Sequence, residues 1–253
     1  MQTNYSLLFF YFRCVASIDI ILPCFNPPDG WSKTIAASLN DLAAKNPLHV
    51  FHLILVNDGS FKNFSEEEIK FLQSNISSGK IISGEVNKGK GFVLREGVKQ
   101  SKSDFCIYTD VDFPYTNDSF QKIIDALLKN NCDIVAGVRG KKYYADVPAF
   151  RIWISKLLRG MIHFFLRVKI TDTQCGLKGF NTKGKDVFLQ TTINRYLFDL
   201  EFIFLASRKK EIRLQPIEVD LKDGIIFRKL NMKILFSEAW NFVKIFFRSL
   251  SKR

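Results

Sequence analysis

The chain has 253 residues, 47% hydrophobic and 25% charged, a globular balance that excludes a disordered or low-complexity protein and supports one substantial core. Its net charge of +12 is uneven: residues 1–138 carry 13 Lys+Arg against 15 Asp+Glu, and residues 139–253 carry 24 against 10. That asymmetry points to an anionic partner (nucleic acid, a membrane surface or a phosphorylated ligand) or to a solvated basic face.

The first apolar run, Ser6 to Phe12, is too short to span a bilayer, and Arg13 interrupts it. No basic stretch precedes it, so it is a poor signal peptide, and residues 1–17 are assigned to an N-terminal extension. "IDIILPCFN" follows as a buried strand ending at Pro23, and "WSKTIAASLNDLAAKNP" has helical spacing. "HVFHLILVNDGS" is a second strand broken by a turn signal. There Asp58 suits hydrogen bonding to a base N–H, but the segment equally suits a plain turn.

"KIISGEVNKGKGF" is a short strand running into a Gly-rich turn and the helix "VLREGVKQSK". Its glycines permit a tight backbone, and Lys88 and Lys90 suit phosphate binding; a helix start with solvated lysines fits as well. "DFCIYTDVD" is the fourth strand, "SFQKIIDALLKNN" an amphipathic helix, and "CDIVAGVR" the fifth strand, ending at Arg139. Strands alternating with helices predict an α/β fold, with a mostly parallel sheet and helices on both faces. In such sheets ligands bind beyond the carboxyl ends of the strands, where every predicted end here is polar or Gly-rich.

Asp110 and Asp112 stand at the fourth of those ends. Placed on a strand, residues i and i+2 share a face, so the two carboxylates repel unless a cation lies between them. Mg2+ or Mn2+, which take oxygen ligands from carboxylates and phosphates, is the expected occupant; the competing reading is an Asp-rich turn capping backbone groups.

Beyond Arg139, "YYADVPAF" reads as a loop and "RIWISKLLRGMIHFFLRVK" as a helix with Lys156, Arg159, His163 and Arg167 along one face. "TDTQCGLKGF" reads as a loop entering a strand. Asp172 in it is a possible general base or a turn former. "YLFDLEFIFLASRKK" is helical, "EIRLQPIEVD" a strand, and residues 223–253 an amphipathic tail suited to an anionic membrane surface. His49, His52 and His163 lack partners at metal-ligand spacing and are assigned structural or surface roles. The five cysteines show no CxxC pair, which indicates reduced thiols rather than zinc ligands or a disulfide framework.

Taken together, "IDIILPCFN", "LVNDGS", "NKGKGFVLREG", "YTDVD", "DIVAGVR", "RIWIS", "DTQCGLKGF" and "RYLFDLEFIFLA" resemble the family 2 glycosyltransferases of GT-A fold. The similarity spans roughly residues 18 to 220 and leans toward the branch that glycosylates dolichyl phosphate. It implies a GT-A domain over residues 18–222 and inverting transfer of a hexose from a UDP- or GDP-sugar to a polyprenyl phosphate. It implies a peripheral position on the cytoplasmic face of a membrane. By the same resemblance, Pro23, Phe25, Asn26 and Asp58 line the nucleoside pocket, and Lys90 lies near base or phosphates. Asp110 and Asp112 hold nucleotide and metal. Arg139, Arg151 and Ser155 meet the diphosphate or the acceptor phosphate, and Asp172 sits beside the reacting centre. Two positions depart from the family pattern: Pro27 stands where many relatives have Glu, and Pro114 where many have Gln. Transfer to a glycan, and a non-catalytic nucleotide-sugar or membrane-binding protein, are the alternative expectations. A nucleic-acid partner has no recognition motif and is not expected.

Overall fold

The structure, a computed structural model, describes residues 15–129, 131–140, 156, 159–166, 168, 170, 172–223 and 241–247. The N-terminal apolar run, the "YYADVPAF" loop, Arg151, Ser155 and most of the basic tail lie outside the described residues.

Seven strands form one sheet in the order β3-β2-β1-β4-β6-β5-β7. They are β1 (Ser17–Cys24), β2 (Val50–Asp58), β3 (Gly79–Gly84), β4 (Phe105–Tyr108), β5 (Ile134–Arg139), β6 (Lys178–Asn181) and β7 (Leu214–Val219). The pairs β1–β2, β2–β3, β1–β4 and β5–β7 are parallel, whereas β6 runs antiparallel to both β4 and β5. The sheet is therefore mostly parallel, as the alternating pattern predicts. The reversed strand is the departure: β6 follows the "TDTQCGLKGF" loop and pairs antiparallel with its neighbours on both sides.

The helices cover both faces. On one face Ile18, Ile20 and Leu22 of β1 pack with α1 (Trp31–Lys45), α2 (Glu66–Asn75) and α4 (Asn117–Leu128). On the other, Ile21 joins a core with α3 (Lys90–Gln100), α5 (Thr182–Phe188) and α6 (Phe198–Ser207). The alternation along β1 is the strand period of two, with both faces dry. Helices α2 and α5 are additions to the sequence reading. Short and mostly polar, they are set by caps: Ser65 accepts from the Glu68 amide and Asn181 from the Gly184 amide.

Helix α6 is buried on every side, and Phe198 and Phe202 pack at tilted and edge-to-face angles into a ring cluster with Tyr108, Phe180 and Phe188. Within the predicted helix at 151–169, residues 159–161 are helical and Ile162–Leu166 widen into a π-turn, and Arg167 of the expected basic face lies outside the described residues. In the tail, residues 241–247 are helical, with Phe242 and Ile245 buried in the core and Phe247 exposed. Among the described residues no helix is long and apolar enough to cross a membrane.

Asp133, fully buried at the start of β5, accepts from the Arg213 amide (2.9 Å), its Nε and Nη2 (3.1 Å each) and Asn181 Nδ2 (3.0 Å). The Arg213 hydrogen bonds hold its carboxyl well below the usual range against the opposing effect of burial. A lowered folded-state pKa stabilises the fold above the unfolded value near 3.9, and that contribution fades as pH falls below it. Arg213→Met should thus lower the melting temperature by several degrees at pH 7 and by less at pH 3, as thermal melts at the two pH values would show.

Candidate active site

The carboxyl ends of β1, β2, β4 and β5 and the start of α3 face one rim, and the sequence places its polar residues there. At the end of β1, Asn26 adopts a left-handed φ of 45°. Its side-chain oxygen accepts from the amides of Phe61 (3.0 Å) and Lys62 (3.1 Å), and its own amide donates to Ser60 Oγ (2.9 Å). Asn26 thereby ties the β1 and β2 loops together. The rings of Phe25 and Phe61, both exposed, meet edge to face at 6.0 Å between centroids on that seam. Pro23 is the half-buried penultimate residue of β1.

Asp58 is buried, and its two carboxylate oxygens accept from the amides of Lys88 (2.7 Å) and Gly89 (2.9 Å). It shapes the Gly-rich turn, where Gly89 has φ 103° and passes against the Asn194 carbonyl. The turn delivers Lys90, the first residue of α3, whose Nζ lies 2.6 Å from Asp110 Oδ1. Burial pulls the Lys90 ammonium down, but the charges of Asp110 and Asp199 outweigh it, so the net shift is upward and Lys90 stays a cation.

The aspartate pair is positioned differently from the strand geometry that first suggested it. Strand β4 ends at Tyr108, and Asp110 opens a turn closed by the Phe113 amide donating to the Asp110 carbonyl (3.0 Å). Phe113 holds φ 46°, a left-handed conformation unusual for an aromatic residue. The two carboxylates therefore do not share a strand face: Asp110 is half-buried against Lys90, and Asp112 is exposed at the tip. Among the described residues no group of three or more His, Cys, Asp or Glu forms a cation cage. Two carboxylates on a turn instead match a cation that takes its remaining ligands from phosphate and water.

Across the rim, Arg139 at the end of β5 grips Asp172. The Arg139 amide donates to Oδ2 (2.6 Å), Nε to both oxygens (3.1 and 3.0 Å) and Nη2 to Oδ1 (2.5 Å). Arg159 Nη2 approaches the same carboxylate at 3.5 Å, so this residue of the expected basic face turns inward. Burial raises the Asp172 carboxyl, but the Arg139 hydrogen bonds and charge more than offset it, leaving the group below the usual carboxylate range. The loop from Asp172 to Gly176 then crosses to Asp110. Tyr115 Oη accepts from the Gly176 amide (2.8 Å), and a methyl group at position 176 would stand 2.8 Å from Asp110 Oδ2. Gly176→Ala is expected to displace that carboxylate and cut turnover by roughly 10²-fold with little change in melting temperature, measured by steady-state rates beside thermal melts.

The structure thus brings together Lys90, Asp110, Arg139 and Asp172, with Asp58 and Asn26 shaping the adjoining loops. Sequence reasoning missed Arg159, Tyr115, Lys178 and Asp199. The last two sit in apolar runs where a charged residue is itself the signal. Thr109 Oγ1, Thr173 Oγ1 and Gln174 Nε2, all flanking the site, are buried with no hydrogen-bond partner among the described residues, a place for a ligand or water to complete. The buried cysteines Cys24, Cys106, Cys132 and Cys175 are free, and burial pushes the thiols of Cys24 and Cys106 up to about 12 and raises those of Cys132 and Cys175, which disfavours the thiolate at all four.

The family model for glycosyl transferase family 2 matches residues 19–187. Dolichyl-phosphate beta-glucosyltransferase of Dictyostelium discoideum is 28% identical over 220 residues, covering 80% of this chain and 67% of that protein. The proteins of the same name from Saccharomyces cerevisiae (25%, covering 82% and 68%) and Homo sapiens (27%, covering 75% and 63%) are similar too. The chain thus spans about two thirds of the length of these relatives. Among solved structures, mannosyl-3-phosphoglycerate synthase from Rubrobacter xylanophilus superposes with TM-score 0.63 at 12% identity, over 94% of this chain and 74% of that one. Glucosyl-3-phosphoglycerate synthase from Mycobacterium tuberculosis, in complex with Mn2+, UDP and glucosyl-3-phosphoglycerate, does so with TM-score 0.59 at 14% identity, over 90% and 77%. These neighbours share the GT-A fold.

Proposed function

The chain belongs to glycosyltransferase family 2, and from that premise we propose that it transfers a hexose from a nucleotide-sugar to a polyprenyl phosphate, as the names of its dolichyl-phosphate glucosyltransferase relatives suggest. The observation that carries the acceptor class is the Asp172–Arg139 clamp. A sugar hydroxyl needs a general base with a pKa near the working pH. Asp172 is held below the carboxylate range by Arg139, the wrong direction for that task. A phosphate monoester, with a second pKa near 6, is already ionised at neutral pH and needs no base.

In the proposed reaction an acceptor phosphate oxygen attacks the anomeric carbon. The bond from that carbon to the diphosphate oxygen breaks, the electron pair leaves with the nucleoside diphosphate, and the configuration inverts. Lys90 and Arg139 place cations where negative charge accumulates, and Asp172 orients the Arg139 guanidinium. The exposed Phe25–Phe61 seam, with Pro23 and Asn26 beside it, forms the nucleoside end of the rim, and Asp58 holds the turn that presents Lys90. A divalent ion, Mg2+ or Mn2+, would be held by Asp110 and Asp112 with the donor phosphates, and would offset the charge of the leaving diphosphate. Arg151 and Ser155 are assigned to the acceptor phosphate through the family resemblance. Exposed Phe164 and Phe247, with the basic second half, suit peripheral attachment to an anionic membrane.

The test is nucleoside diphosphate release from UDP-glucose, UDP-galactose, UDP-GlcNAc and GDP-mannose, with Mg2+ or Mn2+, with and without a polyprenyl phosphate in detergent. Release that requires both divalent ion and lipid phosphate supports the reading. Release only with an added glycan moves the acceptor to the polysaccharide class and overturns the argument from Asp172.

A further inference from the structure

Lys178 is fully buried in a core of aromatic rings, a location where lysine is rarely found. Its Nζ lies 3.0 Å from the Thr173 carbonyl, 2.5 Å from the Cys175 carbonyl and 2.6 Å from Asp199 Oδ1. An ammonium has three protons, and here each has an acceptor. Asp199 sits in the first turn of α6, where a carboxylate complements the helix dipole, and its Oδ1 also accepts from Tyr108 Oη at 2.5 Å. Burial, and then the Asp199 charge, push the Tyr108 phenol well above its usual range, so it remains a donor.

Such a network is weak support for stability, because desolvating two charges offsets most of their attraction, and apolar residues of similar volume commonly do as well. What apolar residues cannot do is hold two backbone carbonyls on either side of Gln174. Those carbonyls belong to the loop that carries Asp172 at one end, clamped to Arg139, and Gly176 at the other, packed against Asp110. Tyr108, the last residue of β4, stands two residues before Asp110, so Asp199 links the same network to the strand that carries the aspartate turn.

We propose that Lys178, Asp199 and Tyr108 are positioning residues for the transfer reaction: they fix the Thr173–Gly176 backbone, and so set the Asp172–Arg139 corner relative to Asp110 and Lys90. The inference rests on the glycosyltransfer reading for its kinetic part and on the contacts alone for its structural part.

The deciding variant is Lys178→Met/Asp199→Leu/Tyr108→Phe, which removes the network's two charges together and leaves Lys90 its direct partner Asp110 at 2.6 Å. The full chain is compared with wild type by thermal melting, by amide hydrogen exchange over residues 173–177, and by kcat and KM for the donor sugar nucleotide. The expected result is a melting temperature within a few degrees of wild type, exchange in the loop at least about tenfold faster, and kcat lower by about 10² with KM changed far less, the size a misplacement of about 1 Å produces. Single Lys178→Met leaves Asp199 buried and unpaired and should melt well below both, which marks the triple variant as the informative one. Wild-type exchange in the loop of the triple variant overturns the proposal, as does a wild-type kcat. If wild type transfers no sugar with any donor, the glycosyltransfer reading fails, and loop exchange still decides whether the network holds the loop.

Discussion

Arg139→Ala is expected to lower turnover by about 10³-fold, the size seen when one preorganised donor to developing negative charge is removed. Arg139 reaches Asp172 through its amide, Nε and Nη2, so the guanidinium plane is set by two parallel hydrogen bonds rather than by a single contact. Alanine removes the cation, and among the described residues the buried Asp172 carboxylate then keeps the position-139 amide and the longer approach of the Arg159 guanidinium. A lysine would keep the charge and lose the fork, so Arg139→Lys should recover little. Asp172→Asn should cost nearly as much as Arg139→Ala, and the double substitution little more than either, because the two act as one unit. Steady-state kinetics on these variants checks this. The pH profile separates the roles: with a phosphate acceptor, kcat/KM should fall below about pH 6 as the acceptor protonates, and Asp172→Asn should leave that limb in place. A limb that vanishes with Asp172→Asn would make Asp172 the titrating base and the acceptor an alcohol.

Asp110→Asn is expected to reduce turnover by a similar factor, about 10³, for a different reason. Asp110 balances Lys90 at 2.6 Å and supplies the less exposed of the two carboxylates assigned to the divalent ion. With Asp110 neutral, burial would act on the Lys90 ammonium with less opposition, so the donor side loses a carboxylate and part of the hold on a cation together. Asp112 is exposed at the turn tip, so its substitution is expected to act on metal affinity alone. Asp112→Asn should raise the Mg2+ or Mn2+ concentration needed for half-maximal rate and abolish turnover at low metal. Metal titrations of the two variants distinguish them. Full activity of Asp112→Asn at every metal concentration would remove Asp112 from the metal site.

The positions of Pro27 and Pro114 bear on the same corner. The Pro114 carbonyl accepts from the Lys222 amide at 2.8 Å, and Tyr115 bridges to Leu221, so the segment after the aspartate turn is pinned to the chain beyond β7. The Pro27 carbonyl likewise accepts from Asn63 Nδ2 at 3.0 Å. At both departures from the family pattern the backbone carbonyl ties two loops of the rim, and a proline, which brings no side-chain ligand, does not interfere with that tie.

Much of the fold was legible because its signals are local. Apolar runs of strand length in β1 and β2 and the expected stripe of Phe120, Ile123, Ile124, Leu127 and Leu128 on α4 each report on a few adjacent residues, and they take the predicted form, with Leu128 only partly buried at the helix end. The short helices α2 and α5 were not legible, because caps rather than apolar periodicity define them. The strand placement of Asp110 and Asp112 failed for a related reason: "DFCIYTDVD" continues a strand pattern, yet pairing with β1 and β6 stops at Tyr108. The Thr109 amide makes a last hydrogen bond to the Ile21 carbonyl of β1 (3.3 Å), and the chain then turns at Asp110.

The residues of the site were nameable from composition at strand ends and from family resemblance, whereas their partners were not. Lys90 meets Asp110 across 20 residues, Arg139 meets Asp172 across 33, and Lys178 meets Asp199 across 21. The amino-acid sequence by itself determined the alternation of strands and helices and the chemistry available at each strand end, since both depend on neighbouring residues. Only the tertiary structure decided that Asp172 is a clamped carboxylate, that Arg159 turns inward and that a buried lysine grips the Thr173–Gly176 loop that follows Asp172. Those outcomes depend on the order 3-2-1-4-6-5-7 and the reversed β6, which bring distant strand ends within hydrogen-bond reach. Long-range pairing of that kind leaves no period in the chain to read.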